Sequence, residues 1–160
     1  MNVWYFAYGS NLDHQRFLER VGTWTAHRQA ALLDYELRFS GEVTSEGGGG
    51  AIVQPAPGKC VLGGLYEITA EQITAMDAVE LGSAMNHDQR GVRRTVAVES
   101  EGETLPAELY EVPVPKLYRA PSARYLDILI KGLGDFGYGD DATAAVTAVA
   151  SREPLGPAPD

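Results

Sequence analysis

A chain of 160 residues that is 44% hydrophobic can bury one core and is short enough to do so as one domain, expected over residues 1–150. With 13 basic against 22 acidic residues, the net charge of −9 argues against nucleic acid and anionic membrane surfaces as partners. A lone cysteine, Cys60, excludes an internal disulfide; the sequence shows no secretory leader and no apolar run near the roughly 20 residues of a membrane helix, so the chain reads as cytoplasmic.

The first strand is expected over Val3–Tyr8, apolar on both faces as a strand covered on both sides should be. It stops at Gly9, Ser10 and Asn11. A turn of such small residues ahead of a helix can aim backbone N–H groups at one anion, although the same tripeptide is also an ordinary connection. Asp13 caps a short helix through about Arg20, and further strands are expected near Ala31–Phe39, Ala51–Gln54 and Val61–Ile68. The tetraglycine Gly47–Gly50 lacks the Lys-Ser/Thr of a phosphate-binding loop and reads as a flexible connection. Cys60, entering a strand, reads as a small core residue.

Thr69 followed by Gln72 makes a capping box, and Gly82 lies where a helix would stop, so the spacing predicts a helix from about Ala70 to Glu80. Ile73, Met76 and Glu80 share one face of it, which sets a carboxylate on the stripe that should dock on the core. Either Glu80 swings out to solvent, or burial and the negative end of the helix dipole raise its proton affinity. Two strands follow, near Val92–Val98 and Leu105–Glu111. In the second, Tyr110 points away from the face shared by Leu105, Ala107 and Leu109, into either a cavity or water. Ser122 caps an amphipathic helix built on Leu126, Leu129, Ile130 and Leu133, and an Ala-rich helix runs from about Asp141 to Ala150. The Pro-rich tail, residues 151–160, is expected to be disordered.

Three stretches in this order resemble the gamma-glutamylcyclotransferase-like proteins, which include the AIG2-like group. "YFAYGSNL" with Arg16 behind it is similar to their N-terminal signature, "GGLYEITAEQITAMDAVE" to the strand and helix that deliver their catalytic glutamate, and "PSARYLDILIKGLGDFG" to their C-terminal helix. The resemblance implies an α+β fold: a small, mostly antiparallel (mixed) β-barrel flanked by helices, with one cavity at its mouth. It implies that Tyr8, Gly9, Ser10, Asn11 and Leu12 hold a small gamma-glutamyl substrate, that Glu80 is the acid/base residue, and that Tyr110 and Tyr125 line the pocket. Glu80 is the residue that helical periodicity had already marked as misplaced.

The implied reaction has the substrate's free alpha-amine attack the side-chain carbonyl, closing 5-oxoproline and releasing an amine, with Glu80 carrying the proton. It calls for no cofactor and no metal. Ser10 lacks a Gly-x-Ser-x-Gly elbow and nothing places His14, His27 or His87 beside it, so a serine hydrolase is disfavoured. His87 and Asp88 lack a spaced third metal ligand. Arg90, Arg93 and Arg94 suit either an anionic substrate or a strand edge. The alternative function is a non-catalytic binding or interaction module that keeps the same pocket.

Overall fold

In the computed structural model of the chain, the described residues are 2–40, 44–81, 91–112 and 118–151. Five strands close a barrel in the order β1 (Asn2–Ala7), β3 (Gly50–Thr69), β2 (Ala26–Ser40), β4 (Val92–Ser100), β5 (Glu103–Glu111). Every neighbouring pair is antiparallel except β1 with β5, which closes the ring in parallel at Tyr5 and Glu108. This is the mixed α+β barrel that the family resemblance implies. Gly82, His87, Asp88, Arg90 and the tail beyond Ser151 lie outside the described residues.

Alternation along β1 explains why its sequence is apolar throughout. Phe6 enters the barrel core with Leu32, Phe39, Val53, Leu65 and Leu109, while Tyr5 and Ala7 face a second core beneath the helices, built with Phe17, Tyr66, Ile68, Met76 and Leu133. The helices α1 (His14–Val21), α2 (Ala70–Leu81) and α3 (Ala123–Asp135) supply that second layer, and α4 (Asp140–Ala150) packs on α3. Their starts are where the sequence places them. The Asp13 carboxylate accepts from Gln15 N and Arg16 N, Thr69 and Gln72 exchange both bonds of the capping box, and Ser122 Oγ accepts from Tyr125 N.

Two expectations need correction. The separate strands near Ala51–Gln54 and Val61–Ile68 are one continuous β3, because the residues between them fit into an irregularity of the ladder. Tyr35 pairs with Pro55 and Leu33 with Cys60, so residues 56–59 stand opposite Asp34 alone, where Pro57 is excused from donating to the ladder. Asp34 adopts a φ of 62° there, and its side chain accepts from Gly58 N at 3.0 Å. Cys60 is exposed, since the two-residue period sends Val61 inward and turns Cys60 outward.

The helix layer approaches the Gly9–Leu12 turn closely at one glycine. A Cβ on Gly132 would sit 2.4 Å from the Leu12 carbonyl carbon and 2.6 Å from Asp13 N, both backbone atoms that cannot yield cheaply. Helix propensity favours alanine at such a site by up to about 1 kcal/mol, and overpacking opposes it by roughly 1–3 kcal/mol. Because the atoms met are backbone at 2.4–2.6 Å, the overpacking belongs in the upper part of that range, and Gly132→Ala is expected to lower the denaturant midpoint, with a net loss of about 1–2 kcal/mol in urea unfolding; an unchanged or raised midpoint would show that the turn and α3 are free to separate.

Candidate active site

Where β1 ends, the chain makes one turn of 3₁₀ helix, Ser10–Leu12, closed by Leu12 N donating to Gly9 O at 2.9 Å. Tyr66, stacked on Phe17 with ring centres 3.9 Å apart, holds this turn from below, its hydroxyl donating to Asn11 O at 2.7 Å. Above the turn lies a cavity of about 70 Å³. Its wall is polar: Ser10, Asn11 and Glu80 together with the tyrosines 5, 8, 110 and 125, with Gly9 and Ala51 completing it.

Glu80 reaches the cavity from the last full turn of α2. The stripe read from the sequence is the one that docks, Ile73 and Met76 being buried on the core side of that helix. The Glu80 carboxylate consequently faces inward, where Asn11 Nδ2 donates to its Oε1 at 3.2 Å. Burial pushes its pKa above the ordinary value of 4.5, opposed by the positive charge of Arg20 and by the Asn11 hydrogen bond.

The tyrosines divide by the direction of their hydrogen bonds. Tyr8 spends its proton on Tyr110 O at 2.6 Å, and Tyr110 spends its own on Asp77 Oδ1 at 2.7 Å. Tyr5 and Tyr125 instead accept, from Asn11 Nδ2 at 3.0 Å and Ala51 N at 3.2 Å, and among the described residues neither donates, which leaves the protons of these two hydroxyls to the cavity. Burial raises the pKa of all four, which stay neutral donors.

Tyr125 owes its place to the tetraglycine, which is packed rather than a loose connection. Gly49 N donates to Ala120 O at 2.8 Å and Gly48 bridges to Pro121, directly ahead of the Ser122 cap of α3. A Cβ on Gly49 would lie 2.1 Å from Arg119 O. Glycine is what lets the two backbones meet.

Of the residues expected at the site, Tyr8, Gly9, Ser10, Asn11, Glu80, Tyr110 and Tyr125 meet at this cavity, and Leu12 turns away into the helix-side core. Tyr110 resolves toward the cavity rather than water. The Asn11 side chain is engaged within the protein, between Arg20, Tyr5 and Glu80. The residues missed are Tyr5, Ala51 and Arg20. Tyr5 carried a signal, for a tyrosine on a strand buried on both faces needs a polar partner for its hydroxyl. His14 and His27 lie away from Ser10, packed with Trp24 and Phe136. Arg93 pairs with Asp77 at 3.5 Å and Arg94 with Glu111, which leaves them as bound cations of the strand edge. Among the described residues no three His, Cys, Asp or Glu side chains are grouped to hold a metal ion.

A wider groove of about 340 Å³ lies between α4 and the β2–β3 pair. It is mostly apolar, and Glu36 and Lys59 at its edge pair with each other at 3.0 Å. Besides that pair its lining carries the free Cys60 thiol and no uncommitted carboxylate, so the smaller polar cavity, where an acid faces several polar groups, is the better candidate.

The raised proton affinity of Glu80 has a consequence for stability. The folded protein binds this proton more tightly than the unfolded chain does, so the neutral carboxyl contributes fully below about pH 4.5 and the contribution is lost as pH rises through the higher folded value. Glu80→Gln keeps a neutral group of the same shape at every pH. Its stability relative to the parent, measured by urea unfolding at pH 4 and pH 8, is expected to be nearly equal at the lower pH and greater at the higher one. A gain that does not grow with pH would place the carboxylate in water.

A family model described as gamma-glutamyl cyclotransferase, AIG2-like, matches residues 5–127. Among solved structures, one described as a gamma-glutamyl cyclotransferase is 22% identical, aligned over 98% of this chain and 92% of its own with a TM-score of 0.79. An uncharacterized Homo sapiens protein, loc79017, is 24% identical over 97% and 92% of the two chains, also with a TM-score of 0.79. A yeast gamma-glutamyl cyclotransferase specific to glutathione shares 14% identity over 93% and 94%, with a TM-score of 0.63. None of the curated proteins matches the chain. At these identities the structures establish a common fold, and the family model, spanning most of the sequence and both the turn and Glu80, establishes the kinship: the chain belongs to the gamma-glutamyl cyclotransferase, AIG2-like family.

Proposed function

We propose that the protein converts a gamma-glutamyl amine or peptide to 5-oxoproline with release of the amine, Glu80 acting as base and then as acid. The observation that carries this reading is a carboxylate of raised proton affinity facing a small polar cavity beside the Gly9–Asn11 turn. At neutral pH the substrate's alpha-amine is an ammonium ion and cannot attack. Glu80 takes one of its protons, and the freed nitrogen bonds to the side-chain carbonyl carbon; Glu80 returns that proton to the leaving nitrogen as its bond to the carbon breaks, then takes the second proton shed by the ring nitrogen and passes it to the departing amine, which leaves as an ammonium ion. Protons balance over the cycle and no external nucleophile enters.

The remaining groups have duties that suit this chemistry. In a 3₁₀ turn the leading N–H groups have no partner within the turn, so those of Ser10 and Asn11 are suited to the substrate's alpha-carboxylate. Holding the carboxylate there curls the chain so that amine and carbonyl meet, and orientation of this kind contributes several kcal/mol. The cavity-facing hydroxyls of Tyr5 and Tyr125 are neutral donors for the carbonyl oxygen as it gains negative charge. A cavity this small holds the glutamyl part, and the leaving group lies outside it.

Incubation with a panel of gamma-glutamyl compounds, with 5-oxoproline read by mass, tests the reading directly. Glu80→Gln is expected to lower kcat by about 10²–10⁴ while changing ligand binding little. The parent's rate should rise with pH through an apparent pKa above 4.5, and the variant should lose that limb. Undiminished turnover in Glu80→Gln would overturn the mechanism, and a parent that binds gamma-glutamyl ligands without releasing 5-oxoproline would be a binding module.

A further inference from the structure

Arg20, in the last turn of α1, donates from Nη1 to Asn11 Oδ1 at 2.6 Å and reaches Ser10 Oγ at 3.4 Å. A guanidinium has donors only, so the Asn11 amide must turn its oxygen to Arg20 and its NH₂ the opposite way. On that opposite side stand Glu80 Oε1 at 3.2 Å, Tyr5 Oη at 3.0 Å and Met76 Sδ at 3.7 Å. Asn11 is buried, at 5% exposure, and cannot exchange these partners for water. We propose that Arg20 is a positioning residue which, acting through the Asn11 side chain, sets the orientation of the Glu80 carboxylate and keeps it in its charged, proton-accepting form.

A base in a dry pocket faces two opposite failures. Left alone, it is driven by burial toward its protonated form, which is a poor proton acceptor; paired directly with an arginine, it loses basicity and spends its oxygens on the fork. An amide between the two avoids both. It passes on the direction of the hydrogen bond, admits the cation's field at a distance, and leaves Glu80 without an ion pair among the described residues. The other groups around Glu80 do not duplicate this effect. Tyr5, Tyr8, Tyr110 and Tyr125 are neutral, and Asp77, one turn earlier on α2, is committed to Tyr110 and Arg93. Arg16, the other cation of α1 on this side, is held by both oxygens of Glu46 at 3.0 Å.

The kinetic consequence rests on Glu80 being the base, whereas the structural test does not. In Arg20→Met the stem is kept while the charge and donors are removed. Titration of the Glu80 side-chain carboxyl by ¹³C NMR, assigned by comparison with Glu80→Gln, is expected to move up by about one pH unit. Arg20→Lys, which keeps the charge and loses the fork, should fall between variant and parent. The acid limb of the rate profile should move by the same amount, so that Arg20→Met loses about tenfold in rate below the parental midpoint, less between the two midpoints, and recovers toward the parental rate above its own. A rate lowered equally at every pH, with the carboxyl midpoint unmoved, would make Arg20 merely structural and overturn the proposal. Should Arg20→Met not fold, Arg20→Gln keeps a donor toward Asn11 and carries the same titration. If no gamma-glutamyl compound turns over, the carboxyl midpoint alone decides the case, and only the reading of Glu80 as a base falls.

Discussion

A buried primary amide has to place an acceptor and two donors among fixed partners, and at Asn11 those partners belong to different elements of the fold. Its oxygen is taken by Arg20 of α1, and its NH₂ faces Tyr5 of β1 and Met76 and Glu80 of α2. In a medium that excludes water an unpaired member of such a set is costly, so the network holds as a unit. Tyr66 secures the same turn from the β3 side through the backbone carbonyls of Asn11 and Leu12. The turn is therefore a rigid junction, and the cavity above it inherits that rigidity.

The barrel's part is to bring distant segments to this junction. Closure of β1 onto β5 sets the rings of Tyr5 and Tyr110 with centres 6.0 Å apart, although the two residues are far separated along the chain. The glycines before β3 let residues 119–121 lie against them, which aims α3 and its Tyr125 at the same point. Hydroxyls that are structural, on Tyr8 and Tyr110, support hydroxyls whose protons are spare, on Tyr5 and Tyr125.

Legibility followed the range of the interaction responsible. Helix starts were readable because a cap bonds to N–H groups two or three residues away, as Asp13, Thr69 and Ser122 do. The anomaly at Glu80 was readable because helical periodicity alone puts it in line with Ile73 and Met76. Residues 55–60 fell between two expected strands, since the partner irregularity at Asp34 that accommodates them lies in another segment. The tetraglycine looked flexible for the same reason: what makes glycine necessary is the backbone near Arg119, which local sequence does not reveal.

By itself, then, the sequence determined the apolar two-faced first strand, the capped helices, the small-residue turn and the misplaced carboxylate, because each is a pattern of spacing within a few residues. Tertiary structure decided which way Glu80 faces, that the amide of Asn11 is directed by Arg20, and which two of the four tyrosines keep a proton to offer. Those outcomes depend on who donates to whom across elements far apart in the chain. A hydrogen bond's direction is settled only when both partners are in place.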